Sequence, residues 1–454
     1  SRSFSITVQN DAPSNHFNTV LYTGNNSAQS ITGVGFQSDF TWIKARDNGV
    51  NNHALTDSIR GTGSGNGLSS NTTGAEGEYS AAYGYLSAFG TDGFTVQAGS
   101  TSPNFVNSSS ANYVAWNFKA GGAAVANTDG TINSQVSVNN TLGFSIVSWT
   151  SSPTASDTIG SGLGEKVEFL ITKKYSGSRD WHVWHKDLPN NGYLNLNSTS
   201  AESTPNGNRA TVTNDTTFIA ESASGDLMIA YCFASKPGFS KVGSYTGNGS
   251  ANGPMVQTGF EPAFLMIKRT DSAEDWKIID NKRGIDFANS LEPNESIAEQ
   301  VGNNSNFVLT TNGFIIGDLH GDYNANGGTY IYLAIAADGS TATPSLANSF
   351  ATETYTGNGG TQSITGTGFK PDFSWIKRRN GTQWHNLFDS IRGVSQRLFS
   401  NSTSAQTFYN QSLQSFDSDG FTVGNDADVN AGTLVSWNWK AGGGTPSINT
   451  DGAI

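Results

Sequence analysis

Apolar and polar residues alternate in short runs along most of this chain. In Val435-Ser436-Trp437-Asn438-Trp439-Lys440 every second side chain is apolar. In Phe40-Thr41-Trp42-Ile43-Lys44-Ala45-Arg46, Phe40 and Trp42 share a row that Lys44 and Arg46 extend to the strand end. A period of two puts neighbours on opposite faces of a strand. The expected orientation has Val435, Trp437 and Trp439 inward and Ser436, Asn438 and Lys440 outward. Turn dipeptides punctuate the runs at Asp92-Gly93, Asn312-Gly313 and Asp419-Gly420, with a longer turn at Asn190-Asn191-Gly192. Short strands between turns spaced about 8 to 12 residues apart predict a sandwich or barrel. Helical periodicity is nearly absent; residues 289–301 are expected to hold one short helix.

The runs also repeat. Tyr22-Thr23-Gly24-Asn25 returns as Tyr245-Thr246-Gly247-Asn248 and Tyr355-Thr356-Gly357-Asn358. Each is followed by Gly-Phe (Gly35-Phe36, Gly259-Phe260, Gly368-Phe369), then by Trp42-Ile43-Lys44, Met266-Ile267-Lys268 or Trp375-Ile376-Lys377. Next come Asp57-Ser58-Ile59-Arg60-Gly61, the looser Asp280-Asn281-Lys282-Arg283-Gly284, and Asp389-Ser390-Ile391-Arg392-Gly393. A more divergent copy lies between the first two, with Phe169-Leu170-Ile171-Thr172-Lys173 in place of the Trp-Ile-Lys run. Several motifs in one register mark tandem modules. The first and last copies are most alike, so the order reads A, B, C, A. The expected fold is all-β, a tandem array of antiparallel β-sandwich modules. The expected boundaries are an N-terminal segment 1–16, modules at 17–122, 123–238, 239–345 and 346–444, and the start of a further module at 445–454. The chain is expected to be an excerpt or processed product that runs on past Ile454.

Composition agrees with this pattern. Charged residues make up 14% of the chain, against about 25% in ordinary domains. Glycine (53 residues) and small polar residues fill the gap, while 26 Phe, 14 Tyr and 10 Trp supply what disordered chains lack. A net charge of −12 disfavours nucleic acid and anionic membranes as partners. No apolar run reaches the length of a membrane-spanning helix. The single cysteine, Cys232, sits in an apolar run and reads as a buried small hydrophobe.

Candidate chemistry is sparse. The Asp-Ser-Ile-Arg-Gly segments read as structural ion pairs, because tandem copies all need their scaffold and seldom all keep a catalytic site. Alternation sends His182 and His185 to opposite faces, against a metal site. Trp181 is matched to Trp276 and Trp384, as core residues. Trp184, at the position of Ile279, breaks the repeat, and an exposed ring there would stack on a sugar. Tyr79, Tyr83 and Tyr85 form an aromatic cluster peculiar to the first module. The oxygen-rich loops 318–327, which holds Tyr323, and 425–430 are the candidate calcium loops, though neither has the spacing of a known calcium motif. The candidate glycan-binding residues are therefore Trp184, Tyr79, Tyr83 and Tyr323. No catalytic residue and no metal ligand is assigned. The paired carboxylates of a sandwich glycosidase, a Gly-x-Ser-x-Gly elbow and a zinc His-Glu-x-x-His are missing from the sequence.

The segments Gly368 to Lys377, Trp437 to Gly443 and Gly243 to Arg269 resemble large repeat proteins of marine bacteriophages. Such proteins look like tail-fibre or other virion surface components built of concanavalin- or laminin-G-like sandwiches. The resemblance implies a structural, non-enzymatic virion surface protein. Its expected partners are other virion proteins, further copies of itself and host cell-surface polysaccharide. The alternatives are a non-viral adhesin or extracellular filament subunit and, more remotely, a glycan-degrading enzyme.

Overall fold

The computed structural model describes residues 12–338 and 350–441, apart from 48, 78–80, 102–103, 190–191, 205–208, 221–222, 284–288, 301–306 and 318. Both the N-terminal segment 1–11 and the expected further module at 445–454 lie outside the described residues. The protein is 44% strand and 3% helix, all-β, and its named strands pair antiparallel. It divides into two compact units, Ser1–Thr341 and Ala342–Ile454.

The first unit contains three sandwiches, each a front sheet over a three-stranded back sheet. In the first sandwich the front sheet runs, in spatial order, Phe17–Thr23, Asn112–Phe118, Phe40–Ala45, Ala54–Asp57. The back sheet runs Gln29–Thr32, Gly93–Gln97, Tyr85–Gly90. The third sandwich repeats this order with Ser240–Thr246, Thr329–Ala336, Pro262–Arg269 and Lys277–Asp280 in front. The second widens its front sheet to seven strands around Leu227–Phe233. The second unit is one sandwich of the same order, its front sheet centred on Ala431–Trp439 and Phe373–Arg378.

The repeated motifs tie a front strand to the segment that leads into its neighbour. The hydroxyls of Tyr22, Tyr245 and Tyr355 donate to the carbonyls of Val106, Tyr323 and Val429. Three residues on, the amides of Asn25, Asn248 and Asn358 donate to the side-chain oxygens of Asn107, Asn324 and Asn430. The glycine between them is sterically required: a Cβ on Gly24 would lie 2.1 Å from the carbonyl oxygen of Ser108. So the Tyr-Thr-Gly-Asn run is a latch between a front strand and an oxygen-rich loop.

Each front sheet in the first unit is buried on both faces, and alternate residues serve different cores. Ile43, Ala45 and Ala115 join the back sheet in the first sandwich's own core. Phe40, Trp42, Trp116 and Phe118 point the other way, into a core shared with Phe169, Ile171 and Tyr231 of the second sandwich and Phe264, Met266 and Leu333 of the third. The three front sheets thus converge on one apolar axis. Only about 10 Å³ is left there, walled by apolar side chains. A water needs at least that much room and several polar partners, so the axis is dry.

This geometry reverses the orientation expected for residues 435–439. Ser436 and Asn438 face the fourth sandwich's own interior, where both are fully buried. They bond to each other, and Asn438 accepts from Ser374. Trp437 and Trp439 lie on the opposite face. Residues 289–300 are not helical either. Leu291 and Ser290 make bridges to Ile278 and Gln300, adding a ragged edge to the third front sheet.

Candidate functional site

The richest chemistry in the molecule lies where the three sandwiches of the first unit meet. Strand register defines the equivalent positions: Leu55 pairs with Leu68, Val183 with Leu194, and Ile278 with Leu291. Two residues before the first member stand His53, Trp181 and Trp276. One residue after the second stand Ser69, Asn195 and Glu292. Each ring donates to a neighbour's carbonyl at this last position. Trp181 Nε1 reaches Ser69 at 2.8 Å and Trp276 Nε1 reaches Asn195 at 3.0 Å. His53 Nε2 lies 2.9 Å from the Glu292 carbonyl. The Trp42 indole N–H can only donate, and it sits 2.8 Å from His53 Nδ1. That fixes the tautomer with the proton on Nε2, donating to Glu292.

A second ring of bonds runs in the same direction. Lys44, Lys173 and Lys268 donate to the carbonyls of Ser296 (3.0 Å), Thr73 (2.9 Å) and Thr199 (3.2 Å). A third uses the backbone, from the amides of Glu299, Glu76 and Glu202 to the carbonyls of Arg46, Tyr175 and Thr270. Each sandwich therefore presents one edge to each neighbour, and the contacts close after three steps. This is the heterologous, ring-closing geometry of a cyclic trimer, made within one chain.

The Asp–Arg motif belongs to the same junctions. Asp57 and Arg60 pair at 2.6 Å with both side chains fully buried, and Asp280 and Arg283 pair likewise at 2.5 Å. The Tyr231 hydroxyl donates to Asp57 across one junction (2.9 Å), and Trp116 Nε1 donates to Asp280 across another (2.8 Å). The Arg283 guanidinium also stacks 5.4 Å from the Trp116 ring. The third junction is built differently, with Leu333 at the donor position and His185 at the acceptor position. Donor and acceptor have been replaced together.

Burial sets the charge states here. It lowers Lys44 to about 7, an effect that Asp47 partly opposes. It holds His53 well below its ordinary value, helped by the charge of Lys44. Mainly through burial, His182 and His185 are lowered to about 4. The Cys232 thiol is buried and pushed up to about 12, which makes it inert.

The glycan candidates fare unevenly. Trp184 is only 8% exposed and packs in the second sandwich's own core with Leu170 and Phe218. Its ring offers no face to a sugar, because its parity points it between the sheets, as Ile279 points in the third sandwich. Tyr323 is also buried, edge-on to Phe307. Tyr83 is partly exposed and lies against Phe105. Tyr79 lies outside the described residues. The match of Trp181 to Trp384 is off by one, since strand register aligns Trp181 with His385.

The oxygen-rich loops are committed to other partners. Asp322 pairs with Lys277 at 2.8 Å, and Glu292 also binds that amine. Burial alone would lower Lys277, but Tyr323, Asp322 and Glu292 hold it above its ordinary value. Asp426 caps residues Ala427–Asn430 and pairs with Arg397 at 2.6 Å. Among the described residues, no three of His, Cys, Asp and Glu gather as a metal site. No described helix is long and apolar enough to cross a membrane.

The repeat marks Trp42, Lys44 and the Asp–Arg pair as recurring structural residues but not that they meet a neighbouring sandwich, although a signal of that was there. Lys44, Lys173 and Lys268 recur in register, and a lysine kept at the end of an apolar strand requires a partner. The family model described as "Domain of unknown function (DUF7483)" matches residues 12–338 and residues 345–454. No curated protein matches the chain. The chain belongs to the DUF7483 family.

Proposed function

We propose that this member of the DUF7483 family is a structural protein of a bacteriophage virion surface. It is a fibre-like component without catalytic function, whose sandwiches are assembled in threes. The observation that carries this reading is the closed ring of three sandwiches. Residue types that catalysis would use (Asp57, Arg60, Lys44, His53, Tyr231) are buried at the junctions and engaged in holding them shut. A covalently linked trio with a dry axis suits a rigid projecting element, and the phage-like repeat motifs agree with that setting. The partners are other virion proteins and further sandwiches of the same kind. Host polysaccharide is the expected outer contact, with Tyr83 the one exposed candidate ring among the described residues.

Immuno-electron microscopy of intact particles tests the assignment: antibody to this chain should decorate fibres or head projections. Particles without label would remove it. Turnover of host polysaccharide by the purified chain would contradict the non-catalytic reading. For the outer contact, Tyr83→Ala should weaken retention on host polysaccharide several-fold.

A further inference from the structure

Within its own unit, the fourth sandwich carries the same junction face as the first, with its residues partly exposed. Phe40, Trp42 and Trp116 of the shared core recur as Phe373, Trp375 and Trp437, by strand register. Trp439 is 37% exposed where Phe118 is 2%, and Leu398 is 37% exposed where Leu68 is buried completely. The polar partners recur as well. Trp375 Nε1 donates to His385 Nδ1 at 2.9 Å, so His385 presents its Nε2 proton outward as His53 does to Glu292. Lys377 bonds the carbonyls of Gly381 and Gln383 within its own sandwich. Asp389 and Arg392 pair at 2.5 Å, but with about a quarter of each side chain exposed. An apolar face of this extent, furnished with matching donors and acceptors, is an interaction surface.

The geometry points to one occupant, a pair of sandwiches of the second and third types seated together on this face to close another ring. In the first unit such a pair covers the equivalent face, supplying Trp181 and Lys173 as donors on one side and Glu292 and Ser296 as acceptors on the other. The packing of the axis argues against three copies of the fourth sandwich. In the shared core of the first unit, the position of Trp42 is filled by Ile171 and Met266 in the other two sandwiches, and that of Trp116 by Tyr231 and Leu333. Those mixed sizes leave only about 10 Å³. Three copies would bring three Trp375 and three Trp437 into that space, and overpacking a full core is destabilising.

The test extends the full 454-residue chain with a copy of its own residues 133–341. Hydroxyl-radical footprinting then reads Trp439. Labelling should fall several-fold relative to the unextended chain. Leu398→Asp, at a position already exposed, should restore it. Equal labelling with and without the extension overturns the proposal. An unextended chain that is trimeric by mass photometry, with Trp439 protected, overturns it in favour of self-association. A second variant guards against misfolding of the appended copy: residues 345–440 replace residues 12–119 in the first unit. That exchange should give a folded trio with Trp439 protected. If the exchanged sandwich folds and Trp439 labels freely, the proposal fails.

Discussion

Asp57–Arg60 and Asp389–Arg392 are one motif in two environments. The first pair is fully buried and receives the Tyr231 hydroxyl, whereas the second is partly exposed. Removing one partner of a buried pair strands a charge, which costs about 3–5 kcal/mol, and an exposed pair is worth about 1 kcal/mol or less. Arg60→Met should therefore destabilise the first unit by several kcal/mol, and Arg392→Met the second unit by about 1 kcal/mol, in chemical denaturation. Equal effects would mean that the junction does not bury the pair. The imidazoles give a pH dependence. His53, His182 and His185 have folded-state values below the ordinary one, so they stay neutral in the fold. Below about pH 6.5 the unfolded chain takes up protons that the folded chain refuses, and stability falls as pH falls toward 4. Each contributes up to about 1.4 kcal/mol per pH unit. Melts of the chain between pH 7 and 5 should show this slope for the first unit, and His53→Gln should flatten it. An unchanged slope in that variant would rule out His53 as a contributor.

At the scale of strands, the alternation in the sequence correctly located the elements but not their inner sides. Periodicity separates two faces; it does not say which one meets the back sheet. In an ordinary half-buried sheet the apolar face is the inner one. Here Trp437 and Trp439 face away from their own sandwich, and Ser436 and Asn438 satisfy each other inside it. Trp184 follows the same rule, since a ring that breaks a repeat can as well fill a private core. The Tyr-Thr-Gly-Asn run was legible as a motif because it recurs intact at Tyr22, Tyr245 and Tyr355, while its loop partners, 82, 76 and 72 residues on from Asn25, Asn248 and Asn358, were not. Nor were the junction bonds, because their acceptors are carbonyls, which every residue carries. Trp181→Phe keeps an aromatic ring in the core but removes the donor to Ser69 together with part of the buried indole. Losing that bond and leaving a buried carbonyl unmet should cost about 1–3 kcal/mol, read as a lower denaturation midpoint. No change would show that the indole N–H contributes nothing.

At the scale of the whole molecule, the core shared within the first unit predicts one cooperative event there. Leu333 lies at the axis, touching space lined by all three sandwiches. Leu333→Ala should cost about 2–5 kcal/mol. Because the core is common, amide exchange should quicken together in Asn112–Phe118, Leu227–Phe233 and Thr329–Ala336. Faster exchange confined to the last strand would mean that the sandwiches unfold separately. The single-chain ring has a further, evolutionary consequence. In a trimer of identical subunits every substitution strikes the axis three times, so a large change is three clashes or three holes. Here a substitution strikes once and its two neighbours can answer it separately. The exchange of a donor–acceptor pair for Leu333 and His185 at one junction is a change that a symmetric trimer would have to make everywhere. Genetic linkage thus frees each sandwich to specialise its outer surface while the other two keep the ring closed.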